Sequence, residues 1–189
     1  FVSCVDNSTS DNKVRQKIKF DYDWKFTEGD FPEASNADFD DSEWKRIDVP
    51  HDWAILDTFA KDNPTGKPGG FASGGVGWYR KSFTLDKADK SSMFSIEFDG
   101  VYEKSEVWIN GNYLGKRPFG YISFGYDLTP YLDFKGENVL SVRVDNSKQP
   151  SARWYTGCGI YRHVWLVKTG RLHIDRYGVY ATTPKITED

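Results

Sequence analysis

Apolar and polar residues alternate with a period of two over short stretches of this chain, and turn-forming clusters separate the stretches. Phe20, Tyr22, Trp24 and Phe26 share one face of a segment whose other face carries Asp21, Asp23 and Lys25, the pattern of a half-buried strand. Phe94, Ile96 and Phe98 alternate with Ser95 and Glu97, and Leu140, Val142 and Val144 alternate with Ser141, Arg143 and Asp145. Each set predicts a strand with one face inward. Ile47 to Val49 predicts a short strand that Pro50 ends, and Gly77 to Leu85 predicts another. Glu106–Ile109 and Tyr113–Lys116 flank Asn110-Gly111, a pair that accepts the two positive φ angles of a type I′ hairpin turn. From Ile160 the alternation is partial: Ile160, Val164 and Leu166 mark one face, and Tyr161, Trp165 and Val167 the other. That predicts a strand covered on both sides. Ile174 to Thr182 predicts the last strand, and Asp38 to Trp44 predicts one helical turn anchored by Trp44.

Eight or more short strands with no long helical pattern predict an all-β fold, an antiparallel β-sandwich of two packed sheets. Composition agrees, because aromatics reach 16% and Gly numbers 17 beside a single Met; that mixture favours strands and tight turns over a helix bundle. No internal repeat is visible, which excludes propellers and solenoids. The span from Asp52 to Val76 keeps no period and holds Pro64, Pro68 and several glycines. It lacks the Gly-Lys-Ser/Thr ending and the helical pattern of a phosphate loop, so it predicts a covering loop.

Charge and cysteine usage narrow the partners. The formal net charge of −3 from 25 basic and 28 acidic side chains gives no electrostatic footprint for nucleic acid. Cys4 and Cys158 stand at opposite ends, which argues against a structural disulfide. His51, His163 and His173 have no mutual metal-ligand spacing, so neither a metal nor a cofactor is expected in this domain. No apolar run approaches the roughly 20 residues of a spanning helix.

Candidate chemistry concentrates in the run from Ala152 to Val167. Trp154 and Tyr155 offer flat apolar faces with polar edges, and Arg153 offers a planar fork of donors; together these suit the CH faces and hydroxyls of a sugar ring. The bland alternative is that Trp154 and Tyr155 cap the core. Asp52, Asp99, Glu103 and Glu106 are acid/base candidates by identity only. Asp99 precedes a glycine as a turn former, and Glu103 and Glu106 flank Lys104 as a solvated edge. No catalytic residue is therefore expected in this chain. His51 and Asp52 are adjacent, a poor arrangement for a base and its orienting partner, and are expected to lock the Pro50 turn. A further role for Asp52 would be to accept hydrogen bonds from sugar hydroxyls. Arg162 is expected to form an ion pair beside the strand.

Four ordered segments carry a family resemblance. Gly159-Ile160-Tyr161-Arg162, Val49-Pro50-His51-Asp52-Trp53, Gly77-Trp78-Tyr79-Arg80, and Phe98-Asp99-Gly100-Val101 followed by Val107-Trp108-Ile109-Asn110-Gly111 resemble the amino-terminal sugar-binding domain of family 2 glycoside hydrolases. The resemblance spans roughly residues 20 to 182. It implies a jelly roll of the galactose-binding-domain type. It also implies a retaining exo-β-glycosidase of the β-galactosidase type as the parent, acting on a β-linked, galactoside-like substrate. In that family the two catalytic glutamates lie in a later (β/α) barrel that follows an immunoglobulin-like domain, so those domains are the expected partners within the same chain and this stretch alone is expected to be inactive. The resemblance further implies that the loop before Gly-Ile-Tyr-Arg reaches the barrel's active site, making Arg153, Trp154, Tyr155 and Asp52 the substrate-contact candidates. Several members carry Asp where this chain has Arg153. A carboxylate accepts hydrogen bonds from vicinal hydroxyls and a guanidinium only donates, so the contact differs in kind. The rival reading is a free-standing carbohydrate-binding module.

The predicted organisation is a tether over residues 1–16, a jelly roll over 17–183, and the start of a linker over 184–189. Phe1-Val2-Ser3-Cys4 resembles a bacterial lipobox, and polar residues follow it. The resemblance implies a periplasmic or cell-surface protein, lipid-anchored through Cys4; the alternative is a chance cysteine in a disordered leader.

Overall fold

A computed structural model describes residues 15–187. The lipobox with Cys4, most of the tether and the last two linker residues lie outside the described residues. The strands are β1 (Gln16–Lys19), β2 (Trp24–Glu28), β3 (Lys45–Ile47), β4 (Gly75–Thr84), β5 (Met93–Phe98), β6 (Ser105–Ile109), β7 (Asn112–Arg117), β8 (Phe124–Asp127), β9 (Glu137–Asn146) and β10 (Val164–Thr169). They form a four-stranded sheet in the order β1-β10-β5-β8 and a six-stranded sheet in the order β3-β2-β4-β9-β6-β7. Every pairing between them is antiparallel. The helical segments are short 3₁₀ turns. This is the all-β antiparallel sandwich that the alternation predicts, and the jelly roll that the family resemblance implies.

The inward positions supply the core. Phe94, Ile96 and Phe98 of β5 and Val164 and Leu166 of β10 meet Tyr79 of β4, Val107 and Ile109 of β6 and Leu140, Val142 and Val144 of β9. Phe98 and Phe124 stack with centroids 5.0 Å apart. The β6–β7 hairpin turns through Asn110 and Gly111 at φ 50° and 79°, as a type I′ turn requires.

The outer face of the six-stranded sheet is unusual. Trp78 stacks on Trp108 at 5.4 Å, and Arg80 is 2% exposed. The Arg80 guanidinium donates to Asp41 Oδ2 (2.7 Å), to the carbonyls of Ala34, Asn36 (2.8 Å), Ala37 and Phe39, and to Ser141 Oγ. One side chain thereby fastens the 31–44 connection over the sheet.

Several expectations are corrected. The strand predicted from Phe20 begins only at Trp24: Asp23 turns with φ 57° and donates its N–H to Asp48 Oδ1 (2.9 Å), leaving Tyr22 exposed. Asp21, expected outside, is buried because its carboxylate accepts from the Val164 N–H (2.9 Å) and pairs with His163 Nδ1 (2.7 Å). Glu97 is buried beneath Lys17 at 3.4 Å. Asp38 to Trp44 forms turns, and the 3₁₀ helix lies earlier, at Pro32–Ser35. The strand predicted from Ile160 starts at Val164, and Arg162 lies over the Tyr161 ring, 5.2 Å from its centroid, without an ion pair among the described residues. Ile174 to Thr182 is not a strand. β10 already has β1 and β5 as neighbours, so it offers no free edge, and Leu172, Ile174, Tyr177, Val179 and Tyr180 stay exposed.

Candidate functional site

The segments that the sequence singled out converge at one end of the sandwich. The His51 N–H donates to the Ile160 carbonyl (2.8 Å) and the Trp53 N–H to that of Cys158 (3.3 Å), while Tyr102 and Gly159 exchange backbone hydrogen bonds at 2.9 and 2.8 Å. Residues 158–160 are thus threaded between the Pro50-His51-Asp52-Trp53 turn and the start of the β5–β6 connection. Only glycine fits at position 159. Its φ is 114°, and a Cβ there would lie 2.1 Å from Tyr79 Oη and 2.9 Å from the His51 carbonyl. Beneath it His51 Nδ1 meets Tyr79 Oη at 2.9 Å. Burial holds the His51 imidazole below its ordinary pKa and raises that of the Tyr79 phenol. Both are core groups, and the His51 ring bonds the Tyr79 side chain of β4 and not the backbone of its own loop.

Asp52 is the centre of the arrangement. Oδ1 caps the short turn Trp53–Ile55 by accepting from the Ala54 N–H (3.1 Å) and also accepts from the Cys158 N–H (2.9 Å), while Oδ2 accepts from the Tyr155 hydroxyl at 2.5 Å. Burial, then the carboxylate beside it, raise the Tyr155 pKa far above its ordinary value, so Tyr155 is a fixed donor. The base of the loop is held separately. Buried Asn146, the last residue of β9, donates to the Gly157 carbonyl (3.1 Å) and to Cys158 Sγ (2.8 Å), and Gln149 donates back to Asn146 Oδ1 (2.6 Å). Cys158 is a free, buried thiol whose pKa burial pushes up to about 12.

From this double anchorage the 147–156 loop projects outward. Arg153, Trp154 and Tyr155 are all exposed, Trp154 by 60% and Tyr155 by 39%. The Arg153 guanidinium makes no hydrogen bond or ion pair with the described residues, so its donors face solvent. Trp154 Nε1 donates to Tyr121 Oη (3.3 Å), which places the indole beside the 118–122 loop. The other acidic candidates are occupied elsewhere. Asp99 accepts from Trp165 Nε1 (2.8 Å), Glu103 pairs with Lys104, and Glu106 pairs with Lys116 at 3.3 Å and Arg143 at 3.5 Å.

Sequence reasoning misses Asn146, Gln149, Tyr102, Phe119 and Tyr121. The signal for the last two was available: Phe119-Gly120-Tyr121-Ile122 is an apolar run in a connection between strands, where polar turn residues are the rule. The long loop after Asp52 is also a built element. Asn63 Nδ2 bridges the carbonyls of Thr58 (2.8 Å) and Phe71 (2.9 Å), and Thr65 Oγ1 donates to that of Ala72 (2.8 Å), which leaves Ile55, Leu56 and Phe59 exposed on the outside.

Comparison with known proteins places these features in a family context. The family model described as glycosyl hydrolases family 2, sugar binding domain, matches residues 17–170. The chain is 55% identical over 182 residues to the beta-galactosidase BoGH2A of Bacteroides ovatus, covering 96% of this chain and 21% of that protein. It is 35% identical to a beta-glucuronidase of Formosa agariphila, covering 92% of this chain and 20% of that one. A crystal structure of a glycosyl hydrolase family 2 member from Bacteroides cellulosilyticus superposes with a TM-score of 0.84 at 41% identity, covering 92% of this chain and 23% of that one. The chain spans about a fifth of the length of these relatives.

Proposed function

Because the chain belongs to family 2 of the glycosyl hydrolases, as that family's sugar-binding domain, we propose that it is the amino-terminal domain of a retaining exo-β-glycosidase of the β-galactosidase type. On this reading the domain supports a catalytic barrel elsewhere in the same protein, across an immunoglobulin-like domain, and lends its 147–156 loop to the substrate site. The observation that carries the proposal is the outward presentation of Arg153, Trp154 and Tyr155 from a backbone held by Asp52 on one side and Asn146 on the other. A loop held that firmly keeps donors and an aromatic face in place without ordering them on binding, which is what preorganised recognition requires.

The roles follow from the chemistry. Arg153 donates to a sugar or acidic oxygen, Trp154 stacks on a ring face, and Tyr155 is oriented by Asp52. Asp52 is a positioning residue that acts through Tyr155, with the remaining lone pair of Oδ2 open to a hydroxyl. Retaining hydrolysis needs two carboxyl groups roughly 5 to 5.5 Å apart; we assign both to the barrel and expect this domain alone to be inactive. Exposed Leu172, Ile174, Tyr177 and Val179 are assigned to contact with the domain that follows, and Cys4 to lipid attachment at the periplasmic or outer surface.

A second reading of the sugar has its own support. Arg153 has five donors and no partner among the described residues, and a relative is named a beta-glucuronidase; a guanidinium is the group that pairs with a carboxylate bidentately. The experiment measures kcat/KM of the full-length protein on para-nitrophenyl β-galactoside and β-glucuronide, with and without Arg153→Ala. A loss of about tenfold or more, equivalent to about 1.4 kcal/mol of transition-state stabilisation, is expected on the preferred glycoside. Unchanged kinetics on both would remove the loop from the substrate site. Sugar binding by a full-length protein that hydrolyses neither would favour a binding module instead.

A further inference from the structure

Beside the projecting loop lies an open groove of about 540 Å³ lined by Tyr102, Glu103, Phe119, Gly120, Tyr121, Ser151, Ala152, Arg153 and Trp154. We propose that this groove binds sugar units beyond the one that is cleaved, so that the enzyme acts on the end of a β-linked oligosaccharide or polysaccharide chain. The inference rests on the reading above that the 147–156 loop faces the substrate.

The groove is built rather than incidental. Tyr102, 4% exposed, forms its floor, and its ring lies so close to the Gly120 backbone that a Cβ there would sit 2.2 Å from Tyr102 Cδ2. Tyr121 packs on Tyr102 at 5.3 Å between centroids, and Phe119 meets Tyr121 edge-on at 5.7 Å. The Gly120 carbonyl accepts from Tyr161 Oη (2.9 Å), and Tyr102 Oη meets Ser151 Oγ at 3.3 Å. Two loops from different parts of the chain are thereby fixed to each other. Their aromatic faces are nonetheless left open, with Phe119 56%, Tyr121 42% and Trp154 60% exposed.

The chemistry of the lining selects a glycan over a protein surface. Of the exposed rings Tyr121 carries a hydroxyl and Trp154 an indole N–H, and Ser151, Arg153 and the Glu103–Lys104 pair rim them. Flat apolar faces alternating with donors and acceptors match pyranose rings, which present CH faces and equatorial hydroxyls. The exposed Ile55, Leu56 and Phe59 patch differs, because it is mainly aliphatic and is the better match for a neighbouring domain. Trp154 belongs both to the groove and to the projecting loop, so a chain whose terminal sugar is held by the loop would continue along Tyr121 and Phe119.

The experiment uses the full-length protein and compares a β-linked tetrasaccharide with the disaccharide of the same terminal sugar and linkage, the para-nitrophenyl glycoside of that sugar reporting chemistry at the cleaved unit. Wild type is expected to show the higher kcat/KM on a tetrasaccharide. Phe119→Ala and Tyr121→Ala are expected to lower the tetrasaccharide to disaccharide ratio by about tenfold, mostly through KM. A ratio that does not move, or a tetrasaccharide no better than the disaccharide, overturns the inference. A circular-dichroism melt of each variant separates loss of binding from loss of folding, and Phe119→Tyr, which keeps the ring, should restore the ratio. If Arg153→Ala leaves every substrate untouched while the Phe119 ratio falls, the loop assignment fails and the groove stands as a binding site alone.

Discussion

The Tyr155 hydroxyl donates to Asp52 Oδ2 across 103 positions of sequence, and the other oxygen of the same carboxylate accepts the Cys158 N–H at 2.9 Å. Asp52 is therefore a clasp between the turn after Pro50 and the start of the Gly-Ile-Tyr-Arg segment. Tyr155→Phe removes one hydrogen bond at a half-exposed position and should cost about 1 kcal/mol. Asp52→Ala removes a helix cap and leaves two backbone N–H groups without their acceptor, so about 2–3 kcal/mol is expected. Urea denaturation of both variants checks the order, and equal losses would mean that the backbone contacts of Asp52 contribute nothing.

Cys158 offers a chemical probe of the same region. Burial raises its thiol pKa to about 12, against the opposing hydrogen bond from Asn146, so the reactive thiolate is scarce at neutral pH and the sulfur is out of reach. In a Cys4→Ser variant of these 189 residues, among which Cys158 is then the one cysteine, a water-soluble disulfide reagent at pH 8 should react only after denaturant is added. Prompt reaction in the folded protein would show that the 157–159 backbone opens readily. Asn146→Ala should speed the reaction, because it frees the base of the loop.

Much of the sandwich was legible because alternation and burial are the same physical fact in a sheet. β5, β9 and the β6–β7 hairpin lie where Phe94 to Phe98, Leu140 to Val144 and Asn110-Gly111 place them. Alternation fails where a side chain finds a specific partner. Asp21 is polar and buried because Val164 and His163 satisfy it, and no periodicity encodes a partner 143 positions away. Ile174 to Thr182 has strand character, but the strand it follows, β10, is already flanked by β1 and β5. Residue type and the family resemblance together pointed to Arg153, Trp154 and Tyr155, and all three are exposed. The anchors of their loop were not legible, because Asn146 and Gln149 look like any polar pair at a strand end.

Acid should weaken the fold through particular carboxylates. The Arg143 guanidinium holds Asp30 below its ordinary pKa through hydrogen bonds of 2.9 and 2.7 Å, with Trp78 Nε1 adding a third. A folded-state pKa below the unfolded value of about 3.9 means that the unfolded chain binds the proton more readily. The contribution is then complete above that value and is lost as pH falls through the folded one. Denaturant midpoints should therefore fall between pH 6 and pH 3. Asp30→Asn should flatten part of that slope while lowering stability at pH 6. An unchanged slope would show that Asp30 is not coupled to folding.

Arg80 provides the sharpest test of what fastens the 31–44 connection to the sheet. Its guanidinium is 2% exposed and is shared between one carboxylate, Asp41, and carbonyls of the connection, among them that of buried Ala34. Asp41 also accepts from Lys25 Nζ at 2.5 Å, so the carboxylate keeps a partner if Arg80 is lost, whereas the carbonyl of buried Ala34 loses its donor. Arg80→Met keeps the volume of the stem and removes every donor, and a loss of about 2–3 kcal/mol is expected from acceptors left without partners. Arg80→Lys keeps the charge but replaces a planar fork with a single compact head that cannot reach carbonyls on both sides, so it should recover less than half of that loss. Thermal melts give the ranking. Amide hydrogen exchange gives the location, with residues 31–44 losing protection before β4 and β9 do. If Arg80→Lys melts with wild type, charge rather than the fork holds the connection, and the fastening lies in the Lys25–Asp41–Arg80 ion pairs alone.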